Sequence, residues 1–170
     1  FGEPLIGVPL NAVSLNNGGN LHHNSMDTIE KVDPRSLRDL AILNAAYLYF
    51  MAAAGREDVP LLANLALDRA VEVIGTKTKE MKANAMSARN GRELGFVMED
   101  GARTIRYYAG LQKDALLSIE RVVDERERPA VRKELGRYIR EIDRFGESMA
   151  EHFQDEVKSI AKARSQKIEK

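Results

Sequence analysis

Residues 131–160 read VRKELGRYIREIDRFGESMAEHFQDEVKSI, and their pattern determines the fold class. Apolar side chains recur every three or four residues, which is the spacing of one face of an α-helix. Pro129 stands just before this segment and suits the first turn of a helix, where its missing N–H costs nothing. The apolar positions are Leu135, Tyr138, Ile139, Ile142, Phe145, Met149, Phe153, Val157 and Ile160. The pattern predicts a long helix from Pro129 that extends as far as Ile168.

Three further helices are expected earlier in the chain. Asp33 is a good N-cap, Pro34 fits the first helical position, and Gly55 is expected as the C-terminal cap of that first helix. Asp58 and Pro60 mark the start of the second helix in the same way. The predicted ranges are 33–54, 58–88 and 93–123. Long helices joined by short connections predict a mainly α fold, an antiparallel bundle of about four helices.

The first 32 residues differ in kind from the helical part. Residues 5–10, LIGVPL, have the composition of a short buried strand, and residues 16–20, NNGGN, that of a turn. A lone strand is unstable in water because its backbone groups need a neighbouring strand. We therefore expect residues 1–32 to be an extended remnant of a larger α/β domain and residues 33–170 to form the helical bundle.

The overall composition excludes several kinds of site. The chain has 26 basic and 26 acidic residues, so no global field attracts nucleic acid or an anionic membrane, and we expect neither as a partner. It has no cysteine, which excludes disulfides, thiolate nucleophiles and cysteine-based zinc sites. The cellular compartment is not indicated by these numbers.

The candidate chemistry lies in residues 22–28, HHNSMDT, between the extended segment and the first helix. Neutral imidazole is the commonest nitrogen ligand of zinc, and its second ring nitrogen usually needs a hydrogen-bond partner. Asp27 is a candidate for that partner or for an adjacent stabilising group. A histidine in a polar loop is nevertheless more often a loop residue without a ligand. One imidazole also supplies only a fraction of the roughly four ligands that a zinc site needs. The residues alone leave both interpretations open.

The wider pattern resembles a known family. It consists of Gly7-Val8-Pro9, a loop, His23-x-x-x-Asp27-Thr28 and then Glu30-Lys31-Val32-Asp33-Pro34. This order is similar to the end of the catalytic domain in the co-catalytic di-zinc aminopeptidases, which include bacterial leucyl aminopeptidases and aminopeptidase S. The resemblance covers residues 5–54. It implies that His23, or alternatively His22, is the last metal ligand, and that Asp27 is a supporting carboxylate behind it.

The resemblance implies a function for a longer parent protein. The other metal ligands and the general-base glutamate of that family precede the equivalent of Phe1, so this chain is expected to be a non-catalytic C-terminal fragment of a zinc-dependent aminopeptidase. The intact parent would bind a pair of zinc ions and cleave peptide substrates at their N-terminus. The alternative is a non-catalytic helical bundle that mediates self-association or docks a partner. Either function is compatible with a homo-oligomer, which we expect from the apolar first helix.

The remaining candidate residues are interpreted more simply. His152 is expected to flank the apolar stripe of the last helix or to lie on its surface. The methionines at 81, 86, 98 and 149 are expected to fill the core, and the tyrosine pairs 47/49 and 107/108 to pack with their hydroxyl groups in water. The charged clusters 124–128 and 137–144 are expected to be solvated helix faces with ion pairs four residues apart.

Overall fold

The structure, a computed structural model, describes Thr28 and residues 33–168, and this part of the chain is almost entirely helical. Its α-helices are α1 (Pro34–Ala53), α2 (Val59–Ser87), α3 (Gly91–Leu117) and α4 (Arg128–Ala163). Short 3₁₀ segments, Arg56–Asp58 and Ser118–Val122, precede α2 and follow α3. The described residues include no strand. The predicted mainly α helical-bundle class is therefore confirmed.

The contacts divide the chain into two compact units, residues 1–54 and residues 55–170. The first unit contains α1, and the second contains α2, α3 and α4. The boundary predicted after residue 32 lies among residues outside the described part and stays a prediction. None of the described helices is both long and apolar enough to cross a membrane.

The second unit is a bundle in which α2, α3 and α4 pack against one another. Each helix contributes its apolar face to one core, as the helical periodicity of the sequence predicts. The largest fully buried side chains of this core are Phe153, Ile74, Leu94, Ile105, Leu116, Leu135 and Ile142. The apolar stripe predicted for α4 is thus confirmed as its buried face.

Two glycines allow the helices to approach closely. A methyl group at Gly101 of α3 would lie 2.6 Å from Cζ of the buried Phe153 ring on α4. A methyl group at Gly146 of α4 would lie 2.6 Å from Cβ of Ala109 on α3. These distances are shorter than van der Waals contact, so only glycine fits at either position without movement of the neighbouring helix.

Ion pairs cross the edges of the same interfaces. Lys82 of α2 lies 2.7 Å from Glu156 of α4, and Arg106 of α3 lies 2.7 Å from Glu147 of α4. Lys113 of α3 likewise pairs with a carboxylate of α4. All these side chains are partly exposed, so each pair adds little free energy, about 1 kcal/mol or less. Their contribution is to favour one register of the helices over its neighbours.

α1 starts and ends close to the predicted residues, but the predicted cap at its C-terminus does not form. The Asp33 side chain accepts a hydrogen bond from the Arg35 backbone N–H at 3.0 Å, and Pro34 occupies the first turn. The C-cap residue of α1 is Ala54, and the next residue, Gly55, has a φ of −137°, which is extended rather than left-handed. Gly55 instead precedes the 3₁₀ segment, where its N–H donates to the Asp58 carboxylate at 3.0 Å. The predicted glycine cap on α1 is therefore wrong.

The other helix boundaries differ by a few residues for identifiable reasons. Asn90, predicted as a turn residue, is the N-cap of α3 and accepts a hydrogen bond from the Glu93 N–H at 2.9 Å. Glu93 returns the interaction by accepting from the Arg89 N–H at 2.8 Å. This reciprocal cap starts α3 at Gly91, two residues earlier than predicted. The last helix, α4, stops at Ala163 and does not reach Ile168.

The substitution Gly101→Ala is expected to destabilise the bundle by about 1–3 kcal/mol, because the new methyl group meets the buried Phe153 ring. Gly110→Ala is a matched control in the same helix, since nothing lies within 4 Å of a methyl group there. That control should stabilise the protein by about 0.5–1 kcal/mol through its better helix propensity. Urea unfolding followed by circular dichroism measures both. Equal effects of the two substitutions would show that α3 and α4 are not in close contact at Gly101.

Candidate functional site

The site residues inferred from the sequence, His23, its alternative His22 and Asp27, lie outside the described residues. Within the same motif the structure describes Thr28, which is exposed. The proximity of the imidazole and the carboxylate therefore stays a prediction from their spacing.

The segment that follows the motif is described from Asp33 onward. The Asp33 carboxylate accepts from the Arg35 backbone N–H and from Arg35 Nε, the latter at 3.2 Å. The hydrogen bonds from the Arg35 side chain, followed by the one from its backbone, hold the pKa of Asp33 below its usual value. The carboxylate is thus ionised at neutral pH and is already used to cap α1. Its role in the motif is to start this helix.

The third histidine lies on the surface of the bundle, as predicted. His152 Nε2 is 3.2 Å from Glu156 Oε1, one helical turn further along α4. Glu156 also pairs with Lys82 of α2 at 2.7 Å. Within residues 33–168 no group of three or more histidine, cysteine, aspartate or glutamate side chains is arranged to hold a metal ion. His152 therefore lies beside a surface ion pair between α2 and α4.

The methionines largely follow their predicted role, but the tyrosines do so only in part, since Tyr49 and Tyr107 are 77% and 62% exposed. Met81, Met98 and Met149 pack against the core, whereas Met86 is 66% exposed, so the core prediction is wrong for that residue. Tyr107 and Tyr108 meet edge to face with their ring centres 5.6 Å apart. Both are on α3. The Lys77 ammonium of α2 lies over the Tyr108 ring, 4.9 Å from the ring centre, in a cation–π contact.

A groove between α2 and α3 contains that cation–π contact. Lys77 Nζ also lies 2.8 Å from the Glu80 carboxylate, and the hydrogen bond with Glu80 raises the pKa of Lys77. The cavity beside them has a volume of about 420 Å³. The Lys77 ammonium is already paired with a carboxylate and an aromatic ring. Among the described residues, the groove therefore offers no free charge that would bind an anionic ligand strongly.

A second cavity, also of about 420 Å³, lies at the corner where α2 ends and α3 begins. Phe96 lines it and is 70% exposed. Arg92 lines it as well, together with the polar side chains of Asn84 and Ser87. The sequence pattern did not single out this corner, since it forms only when two helices turn back on each other.

The residues after α4 support the same corner. Arg164 donates from Nη1 to the Ala88 carbonyl and from Nη2 to the Met86 carbonyl, both at 2.7 Å. Gln166 donates to the Arg89 carbonyl at 2.9 Å. The last carbonyl groups of a helix lack partners within the helix, so Arg164 provides a cap for α2 from a distant part of the chain. The helical periodicity of the sequence did not indicate this cap, because Arg164 is distant in sequence from the end of α2.

Comparisons with known proteins found no matching protein-family model, no matching curated protein and no matching solved structure. The function is therefore inferred from the motif and from the surfaces of the described helices.

Replacing Arg164 with alanine is expected to cost about 1 kcal/mol of unfolding free energy, because two carbonyl groups at the end of α2 lose a charged donor. Lys162→Ala is the matched control, since Lys162 is an exposed basic residue of the last turn of α4. Thermal unfolding compares the two variants. Equal melting temperatures for the two variants would show that water hydrogen-bonds these carbonyl groups equally well. The Arg164 cap would then contribute nothing to stability.

Proposed function

We propose that this chain is the C-terminal part of a zinc-dependent aminopeptidase, which removes residues from the N-terminus of peptides. The observation that carries the proposal is the spacing of His23, Asp27 and the Asp33-Pro34 pair. In the family that this order resembles, the same pattern leads from the last metal ligand into the final helix. The start of α1 at Pro34, capped by Asp33, agrees with the second half of that pattern.

The donor set explains which part of the chemistry belongs to this chain. A neutral imidazole such as that of His23 is a common zinc ligand, and a carboxylate such as Asp27 typically accepts a hydrogen bond from the second ring nitrogen. That bond would select the tautomer and orient the ring. Together they provide one ligand of the roughly four that zinc requires, so the others must come from the rest of the parent enzyme. When bound, a zinc pair polarises the scissile carbonyl and activates a water molecule.

The bundle of α2, α3 and α4 has a different role in this proposal. Its buried face consists of apolar side chains, apart from Thr78, whose hydroxyl donates to the Ile74 carbonyl of the same helix. We infer that it is a non-catalytic part of the enzyme, with association or docking as its function.

Self-association is a second candidate function, and α1 supports it. None of the residues of α1 is buried. Its large exposed apolar side chains are Leu37, Ile42, Leu43, Leu48, Tyr49 and Met51. Exposed apolar surface of this extent typically marks an interface, and a two-fold dimer is the simplest assembly that covers it.

In the intact parent enzyme, His23→Ala is expected to remove bound zinc and abolish hydrolysis of leucyl-nitroanilide. His22→Ala should retain substantially more of both, because the carboxylate four residues further on is in register with His23. The isolated 170-residue chain should neither hydrolyse this substrate nor retain zinc after dialysis. Tightly held, stoichiometric zinc in the isolated chain would contradict the proposed ligand set, and the reverse ranking of the two variants would identify His22 as the ligand.

Sedimentation of the isolated chain at micromolar concentration is expected to show a dimer, because α1 carries exposed leucines on more than one side. The double variant Leu43→Gln/Leu48→Gln should shift the equilibrium towards monomer. The variant Arg35→Gln/Arg38→Gln, which changes exposed polar side chains of the same helix, should remain dimeric. A native chain that is monomeric at this concentration would exclude self-association through α1.

A further inference from the structure

The outer face of α4 carries a straight row of cations. Lys133, Arg137, Arg140 and Arg144 are spaced by four, three and four residues, which places them on one side of the helix. All four side chains are exposed. At the rise of an α-helix the row is about 16 Å long. We call these four residues the α4 basic row.

The ion pairs expected within residues 137–144 are absent among the described residues. Arg137 instead donates to the Tyr138 hydroxyl at 2.6 Å and stacks on that ring, with its guanidinium 4.5 Å from the ring centre. Arg144 donates from Nε to the Arg140 carbonyl at 3.3 Å. These contacts orient the guanidinium groups but leave their charges without a counter-ion in the described part of the chain. The charged side chains of this segment are exposed, as expected, but the expected ion pairs four residues apart do not form among the described residues.

The charge is unbalanced because the carboxylates on the flanks of α4 pair with other elements of the bundle. Glu134 pairs with Arg56, Asp143 with Lys113, and Glu147 with Arg106. Those acidic side chains neutralise cations of the neighbouring segments and cannot neutralise the row at the same time. Glu141 is an exposed carboxylate near the row and offsets part of its charge.

The surroundings of the row indicate what kind of partner fits. The large exposed apolar side chains of the described residues lie on α1, α2 and α3, and α4 has none. A stable protein interface usually has an apolar centre, and a helix that inserts into a membrane surface needs an apolar face. Exposed pairs with single carboxylates of an acidic peptide would each change a binding constant by only about five-fold or less.

A nucleic acid differs from these partners because its backbone is a dense line of phosphates with condensed counter-ions. Each cation that neutralises a phosphate releases counter-ions, so a purely electrostatic row gains affinity that single ion pairs do not provide. Guanidinium groups also bind phosphate in a bidentate manner, and three of the four residues of the row are arginines. A linear, apolar-free row of this kind matches a linear polyanion.

We propose that the α4 basic row binds the phosphate backbone of a nucleic acid without sequence preference. The expectation of no nucleic-acid partner came from the zero net charge, which describes the field far from the protein and not a local row at contact distance. The inference concerns α4 alone and is independent of the proposed peptidase function.

The test is fluorescence anisotropy of a labelled 20-base-pair DNA, at roughly 50 mM and roughly 200 mM salt, with the full chain. Four neutralised phosphates predict that the affinity falls about 100-fold between these salt concentrations. The quadruple variant Lys133→Gln/Arg137→Gln/Arg140→Gln/Arg144→Gln should bind at least about ten-fold more weakly at the lower salt. Circular dichroism verifies that this variant is folded, as expected because all four side chains are exposed.

The matched control removes the same charge elsewhere on the bundle. Lys79, Arg89, Arg92 and Arg121 are also exposed, and their joint replacement by glutamine changes the net charge by the same amount. This control should bind within about two-fold of the native chain, because it leaves the row intact. Equal losses in both variants would mean that only overall charge matters, and no binding of the native chain at the lower salt would overturn the proposal. Stronger binding to phosphatidylserine vesicles or polyglutamate than to DNA would also overturn it.

Discussion

The burial of the apolar face of α4 between α2 and α3 is the constraint on which the described bundle depends. A helix of 36 residues is about 54 Å long, and an apolar stripe that follows most of it cannot remain in water without a large free-energy cost. Helices α2 and α3 cover it from both sides and contribute their own apolar faces to the same core. The glycines at 101 and 146 refine this packing, since each removes a methyl group that would hold two helices apart. Close approach is thus achieved by small residues on α3 and α4 together.

The features that sequence analysis predicted well are those encoded within one helix. The stripe from Leu135 to Val157 repeats at the helical period, so its burial follows without any knowledge of its neighbours. Asp33 and Pro34 specify a helix start by local hydrogen bonding and a preset φ angle. Such signals depend on residues a few positions apart, which is why they can be recognised in a single sequence.

The features that were missed depend on residues distant in sequence. Arg164 caps α2 only because the end of α4 returns to the corner between α2 and α3. Met86 satisfies the helical spacing of a core residue, yet it is exposed at that same corner, where α2 is about to end. Glycine is the usual residue at a helix C-terminus, so Gly55 was expected to cap α1. Its N–H instead donates a hydrogen bond to the Asp58 carboxylate, and its backbone is extended. In each case the local structure depends on residues or helix ends that the helical period of the sequence does not reveal.

The candidate zinc site is hard to predict for the same reason. One imidazole is not enough to identify it, because the other ligands would lie elsewhere in the sequence.

The distribution of charge follows from the packing rather than from composition. Residues at the edges of the buried faces of three helices meet one another, so carboxylates of α4 pair with cations of α2, α3 and the segment before α2. These carboxylates are therefore not available to the cations on the outer face of α4, which stay without a counter-ion among the described residues. On α4 these unpaired cations fall in register at Lys133, Arg137, Arg140 and Arg144, because the period that buries the apolar stripe also aligns the opposite face. A protein with no net charge can therefore present a locally basic surface, because the packing of its helices determines which carboxylates are already paired.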